Sequence, residues 1–248
     1  MNDRVIVITG ASAGIGAALA DLLATRGASL ALVARRDAAL RAVAARCGER
    51  AIPIVADATR RNEVQRIVRD SLTRFGHVDV WINNIGQGIN RQPSELTDDD
   101  VDDIMRINVK SALYGMQEIL PHFKQRGGGH VINVSSMLGR IPLAVYRSSY
   151  NGAKHFLGSL TANFRAEVQQ THPDIQFSLV SPGVVRTDFG LSALHGGPDS
   201  RELPNSQSAE DVAAVIAGVV DSRRPDVYTQ PGARQRVIDY YTSLGADP

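Results

Sequence analysis

Only one cysteine, Cys47, occurs in the chain, so no intrachain disulfide can form, and a reducing, cytoplasmic setting is expected. No stretch approaches the roughly 18 consecutive apolar residues of a membrane-spanning helix. The opening MNDRVIVITG has no long apolar run behind a basic segment, which argues against a secretory leader. Neither sign of charge dominates: 27 Lys and Arg face 26 Asp and Glu, a net charge of +1, so no general nucleic-acid surface is expected. The six histidines form no ligand-spaced cluster, and no metal site is predicted. One glycosylation triplet, Asn133-Val134-Ser135, falls inside an apolar run read as a buried strand and is expected to stay unmodified. What remains is the composition of an ordinary globular protein, with 43% hydrophobic and 21% charged residues among 248. That length suits one large α/β domain over 1–248.

The first half alternates between short β-branched runs and segments with helical apolar spacing. RVIVIT (4–9), SLALVA (29–34), AIPIVA (51–56) and VDVWIN (78–83) read as strands. The segments 14–27, 37–48 and 60–75 between them read as helices. The strands are near-continuous apolar runs, the pattern of a parallel sheet covered on both faces. Further along, Thr97 followed by three aspartates predicts a capped helix running to about 125. A strand through 127–136, a helix over 149–171 and a strand over 174–183 follow. Residues 187–208, rich in Gly, Pro and Ser, predict a mobile substrate loop. A helix over 208–220 opens with Ser208 and Asp211 as caps; a strand near 226–229 and a helix near 231–243 end the pattern. The predicted fold is α/β: a single doubly wound, Rossmann-like parallel sheet with helices on both faces.

TGASAGIG (9–16) joins the first strand to the first helix. Glycines at 10, 14 and 16 permit close backbone approach, and free N–H groups at a helix start favour phosphate. After the first strand of a βαβ series this predicts a dinucleotide site. An NAD site commonly carries an acid at the end of the second strand, to hold the ribose hydroxyls. Here the stretch is VARRD, with Ala34 in the acid's place and Arg35 and Arg36 after it. Arginine suits a 2′-phosphate, and Ser12 can add a hydroxyl, so NADP(H) is favoured. NAD(H) remains possible if Asp37 meets the ribose instead.

In SSYNGAKHF (148–156), Tyr150 and Lys154 share one helical face at i, i+4. An ammonium beside a phenol favours the phenolate, so Lys154 is expected to lower the tyrosine pKa and fit it for acid/base work. Isolated pairs of this kind usually sit on solvated faces. Here, however, Ser136 ends an apolar strand 14 residues upstream, and carboxyl ends of parallel strands line the ligand crevice. Strand alternation sends its rival Ser135 to the other face. Asn108 lies mid-helix, where its amide competes with the backbone, and is expected to hold a water or bend the helix. His155 points away from Lys154, and His122 and His130 have no evident partner in the sequence.

Taken together, TGASAGIG, Asp57 in VADAT, NNIG at 83–86, Asn108, Ser136, YNGAK and SPGVVRT at 181–187 resemble the short-chain dehydrogenase/reductase family over nearly the whole chain. The resemblance implies an oxidoreductase moving hydride between a nicotinamide cofactor and a small carbonyl or alcohol substrate. Tyr150 would be the general acid/base, Lys154 the ribose ligand that lowers its pKa, Ser136 the carbonyl-orienting group and Asn108 the support of a relay water. Cofactor contacts would come from Gly10, Ser12, Ala13, Gly14, Ile15 and Gly16 in the first turn, with Arg35, Arg36 and Asp57 at the adenosine end. Asn84, Ile85 and Gly86, then Pro182, Gly183, Val185 and Thr187, would line the nicotinamide half. The family is often dimeric or tetrameric, so a homo-oligomer is implied. Three departures stand out. Ile85 replaces the usual alanine, Ala13 stands where NADP-type members often carry a basic residue, and the gap from Ser136 to Tyr150 is one residue longer than the family's usual spacing, absorbed in LAVYRS. Specificity is expected from Met137, Leu138, Val145, Tyr146, the residues after Gly183 and the loop 188–208. Two rival readings are a nucleotide-sensing protein on the same fold and an epimerase or dehydratase with a recycled nicotinamide.

Overall fold

The computed structural model describes residues 3–245. Seven strands form one sheet: β1 (Val5–Thr9), β2 (Ser29–Ala34), β3 (Ala51–Val55), β4 (Val80–Asn83), β5 (Gly129–Val134), β6 (Ile175–Ser181) and β7 (Asp226–Tyr228). Their order is β3-β2-β1-β4-β5-β6-β7, and every adjacent pair is parallel. The chain winds outward in both directions from the β1/β4 junction, the switch point where such sheets open a ligand crevice.

Strand alternation sorts the core into two layers. Ile6, Ile8, Leu30, Leu32 and Ile132 face α1 (Gly14–Thr25), α2 (Asp37–Cys47) and α7 (Ala209–Ser222). Val5, Val7, Val33, Trp81 and Phe177 face α3 (Arg61–Phe75), α5 (Ser111–Arg126) and α6 (Ser148–Gln169). Both faces are dry, which is why the strands read as unbroken apolar runs. Each such side chain contributes about 1.5–3 kcal/mol on burial.

The long helix predicted from Thr97 is three pieces: α4 (Asp98–Met105), a π-helical turn over Arg106–Lys110, and α5. Its start carries the expected cap, since Thr97 and Asp100 form a reciprocal capping box, as do Ser208 and Asp211 on α7. A last helix, α8 (Ala233–Thr242), packs Ala233 against Met137 and Ile141.

The two central strands carry a buried polar network within the second layer. Trp81 Nε1 donates to Asn83 Oδ1 (2.7 Å), Asn83 Nδ2 donates to Asn133 Oδ1 (2.8 Å), and Asn133 Nδ2 donates to Thr161 Oγ1 (2.8 Å). A second bond from Asn83 Nδ2 reaches the Ala112 carbonyl at 3.3 Å. The network ties β4, β5, α5 and α6 together, α6 being the helix that carries Tyr150 and α5 the one that follows the turn holding Asn108. Its enclosure leaves no room for a glycan on Asn133, which is fully buried.

Candidate active site

At the first turn, Gly10 and Gly14 take positive φ (71° and 52°), and a Cβ on Gly16 would collide with the Gly10 carbonyl. Only glycine fits these positions. Ala13 caps α1 in extended conformation, with no side chain satisfying the first N–H groups. Those free donors at a helix start fit an anionic diphosphate. Thr187 lies over this turn, with Cγ2 3.1 Å from where a Gly14 Cβ would stand, and Asn84 Nδ2 donates to the Gly10 carbonyl at 3.2 Å. Ile15, Asn84 and Gly86 line the adjoining cavity.

Beyond β2, Ala34 is buried and Arg35 and Arg36 are exposed. Arg36 reaches back to the glycine turn and donates from Nε and Nη2 to Ser12 Oγ (3.3 and 3.1 Å). Asp37 turns along its own helix to pair with Arg41 at 2.6 Å. Burial works against the charge of Asp57, but bonds from the Thr59 hydroxyl and amide, with Arg35 and Arg60 nearby, hold its pKa below the usual carboxylate range.

Next to the glycine turn is a cavity of about 640 Å³ lined by Ser136, Tyr150 and Lys154 and by Pro182, Gly183, Val185 and Thr187. Tyr150 is buried at 5% exposure and its ring tilts against Phe189, centroids 5.6 Å apart. Desolvation pushes its pKa up to about 12, opposed by a hydrogen bond with Ser136 and by the charge of Arg147. Lys154 is equally enclosed. Its Nζ donates to the Val134 carbonyl at 3.0 Å and sits 5.7 Å from the Tyr150 ring centroid. Burial pulls its pKa down to about 7. The i, i+4 spacing therefore brings the pair together, but the expected lowering of the phenol is corrected. In this structure the loss of water dominates both groups, and the amine is spent on a carbonyl.

Ser136 caps a short turn, accepting from the Leu138 amide at 3.1 Å, while Ser135 donates to the Lys154 carbonyl at 3.2 Å and so braces α6. Asn108 explains the π-helical turn. Its Nδ2 donates to the carbonyls of Ile104 (3.0 Å) and Gln87 (2.9 Å), and its Oδ1 accepts from the Gln87 amide at 3.1 Å. An amide that captures helix backbone in this way widens the local turn, and such turns recur at functional sites. The segment after β4 is thereby clamped, so that Gly86 lies beside both Asn108 and Lys154.

The side chain of Ile85 packs into the layer built on Trp81 and Phe123. His130 and His122 do find partners: His130 Nε2 meets Ser178 Oγ at 2.8 Å, and His122 Nε2 accepts from the Val78 amide at 3.1 Å. Desolvation takes His130 down to about 3, so it is neutral and structural. His155 bonds the Asn151 carbonyl of its own helix.

Met137, Leu138, Val145, Tyr146 and Val184 line the cavity as expected, joined by Pro198, Ser200 and Leu203 from the loop 187–208. That loop is pinned to the segment after β4 by an isolated bridge between Ile89 and Leu194 and by His195, whose Nε2 lies 2.6 Å from Asp100 Oδ1. The His195 bond, with those from Thr97, lowers Asp100 to about 2. Arg147, Gln230 and Arg236, which the sequence does not single out, also line the cavity, as does Phe189 of the expected loop. None carries a local pattern, although the extra residue in LAVYRS marks where Arg147 lies.

A dinucleotide-shaped turn, a cavity at the sheet's switch point and a buried Tyr–Lys pair on its wall together define an oxidoreductase of the nicotinamide-binding class. Residues 4–195 match the family described as short chain dehydrogenase. An uncharacterised oxidoreductase of Staphylococcus saprophyticus is 33% identical over 192 residues, 76% of this chain and 77% of that one. A short chain dehydrogenase/reductase from Burkholderia phymatum, solved in complex with NAD, shares the fold with a TM-score of 0.89 at 23% identity, covering 100% and 98% of the two chains. An alcohol dehydrogenase from the archaeon Thermococcus sibiricus, complexed with 5-hydroxy-NADP, gives 0.79 at 28% identity, covering 92% and 96%. The chain belongs to the short-chain dehydrogenase family.

Proposed function

We propose that the enzyme transfers hydride reversibly between NADP(H) and the carbonyl or alcohol carbon of a small molecule, with Tyr150 as the acid/base. The observation that carries this reading is that Tyr150, Ser136 and Lys154 line one cavity, which also reaches Ile15 of the glycine turn. When bound, the nicotinamide supplies hydride to the carbonyl carbon and is itself oxidised. Ser136 holds the carbonyl oxygen by its hydroxyl. As the C=O π bond breaks, Tyr150, protonated at neutral pH, gives its phenolic proton to that oxygen. Lys154, within reach of the space beside Gly86, would hold ribose hydroxyls, and Asn108 fixes the backbone there. In oxidation the same groups work in reverse.

The preference for NADP(H) rests on Arg36 and Ser12. Their bond sets a guanidinium and a hydroxyl at the end of β2, where a 2′-phosphate would meet them, with the neutral Ala34 between strand and helix and Asp37 turned aside. Arg36→Asp should lower kcat/KM for NADPH and raise it for NADH, shifting their ratio by about 10-fold or more, the scale of one charge-assisted contact. An unchanged ratio would remove this assignment. A chain that binds NADPH yet consumes none with a broad carbonyl panel would favour the nucleotide-sensing reading instead.

A further inference from the structure

The guanidinium of Arg147 is a charged cavity group to which the proposed chemistry gives no task. Its Nη1 is fully enclosed and has no hydrogen-bond partner among the described residues. It pairs with no carboxylate there either, although Arg91 and Arg140 nearby in sequence or space are each matched to an aspartate. Arginine cannot shed its charge to relieve such burial, so this half-buried, unmatched guanidinium favours an anion beside it.

The pocket is nevertheless shaped to keep the group where it is. A Cβ on Gly88 would collide with Nη1, and one on Gly197 would come within 3.1 Å of Nη2. Both positions are glycine, one from the segment after β4 and one from the loop 187–208. The face of Phe189 closes the third side, 5.9 Å from the guanidinium carbon. Tyr150 leans on the same ring, so the unmatched cation and the phenol flank one aromatic side chain.

The rest of the lining points the same way. Arg147, Lys154 and Arg236 line the cavity, and no aspartate or glutamate does. Lys154 is committed to the Val134 carbonyl, and Arg236 donates to Gln230 Oε1 at 2.9 Å. The remaining walls carry neutral polar side chains such as Asn90 and Ser200 among apolar ones, Met137, Leu138, Ile141 and Leu203 included.

We propose that the substrate is an oxo acid or hydroxy acid: an apolar body whose carboxylate is held by Arg147 while its carbonyl or hydroxyl meets Tyr150 and Ser136. The substrate role rests on the hydride-transfer reading above; the anion site itself does not. The guanidinium of Arg147 attracts a carboxylate through its charge and its N–H donors, which fixes the distance from the anion to the reacting carbon. Straight-chain oxo acids with the ketone at successive positions should therefore show one preferred spacing.

The test separates binding from turnover. Binding of sodium octanoate and of octanamide is measured by calorimetry on wild type, Arg147→Gln and Arg147→Lys. Wild type should bind octanoate at least 10-fold more tightly than octanamide, Arg147→Gln should lose that preference, and Arg147→Lys should keep part of it. In parallel, the ratio of kcat/KM for each oxo acid to that for its methyl ester should fall at least 10-fold in Arg147→Gln. Equal binding of acid and amide by wild type overturns the proposal whether or not the variants fold, as does an acid preference that survives in Arg147→Gln. An Arg147-dependent octanoate preference without any carbonyl reduction would support the anion site and sink the hydride-transfer reading instead.

Discussion

Lys154 and Tyr150 sit one helical turn apart, and burial moves their proton affinities in opposite directions, the amine to about 7 and the phenol to about 12. The amine's shift has a consequence for stability. An unfolded chain holds the lysine proton up to about pH 10.4, whereas the folded chain releases it near 7. Between those limits the unfolded state binds more protons, so this residue makes stability rise with pH. Urea midpoints of the cofactor-free protein should therefore climb from about pH 7 to about pH 9.5, and Lys154→Met should flatten that climb. An equal climb in both proteins would show that the lysine keeps its charge when folded. The sequence gives the spacing of this pair because spacing follows from helix geometry. It cannot give the direction of either shift, which depends on how much water the fold removes and on the Val134 carbonyl that claims the amine.

Elements were legible wherever a local period or cap decides them. The strands and most helices follow from apolar runs and 3.6-residue spacing, and Thr97 and Ser208 mark real capping boxes. The π-helical turn at Arg106–Lys110 was foreshadowed by an asparagine in mid-helix, but its cause, the Gln87 backbone, arrives from 21 residues away. The network through Asn83, Asn133 and Thr161 was not legible at all, because a polar residue inside an apolar strand acquires its partner only when two strands register. Gly115 is what lets α5 approach that network. A Cβ there would collide with Asn83 Oδ1 and Trp81 Nε1, neither of which can move within a full core. Gly115→Val should cost about 1–3 kcal/mol through overpacking, a fall in melting temperature of roughly 2–4 °C per kcal/mol. A melting temperature equal to that of wild type would mean that the network yields to the added methyls.

For the whole molecule, the winding of the sheet gathers around one cavity the stretches that follow β1, β4, β5 and β6, together with the start of α6 and the C-terminal segment carrying Gln230 and Arg236. The motif residues were readable because each lies at the carboxyl end of a strand or on the helix that follows. The substrate end was less so, since Arg147, Phe189 and Arg236 come from a 3-10 turn, a loop and the last helix, where no period announces a role. The account as a whole depends on Tyr150 giving and taking the substrate proton. Tyr150→Phe removes one oxygen and leaves the cavity wall otherwise intact. The decisive measurement is single-turnover oxidation of NADPH with a carbonyl substrate, beside NADPH binding by fluorescence, in wild type and in this variant. The account predicts unchanged binding and a rate lower by about 10²–10⁴-fold, the usual contribution of a positioned acid; a rate equal to that of wild type would contradict it.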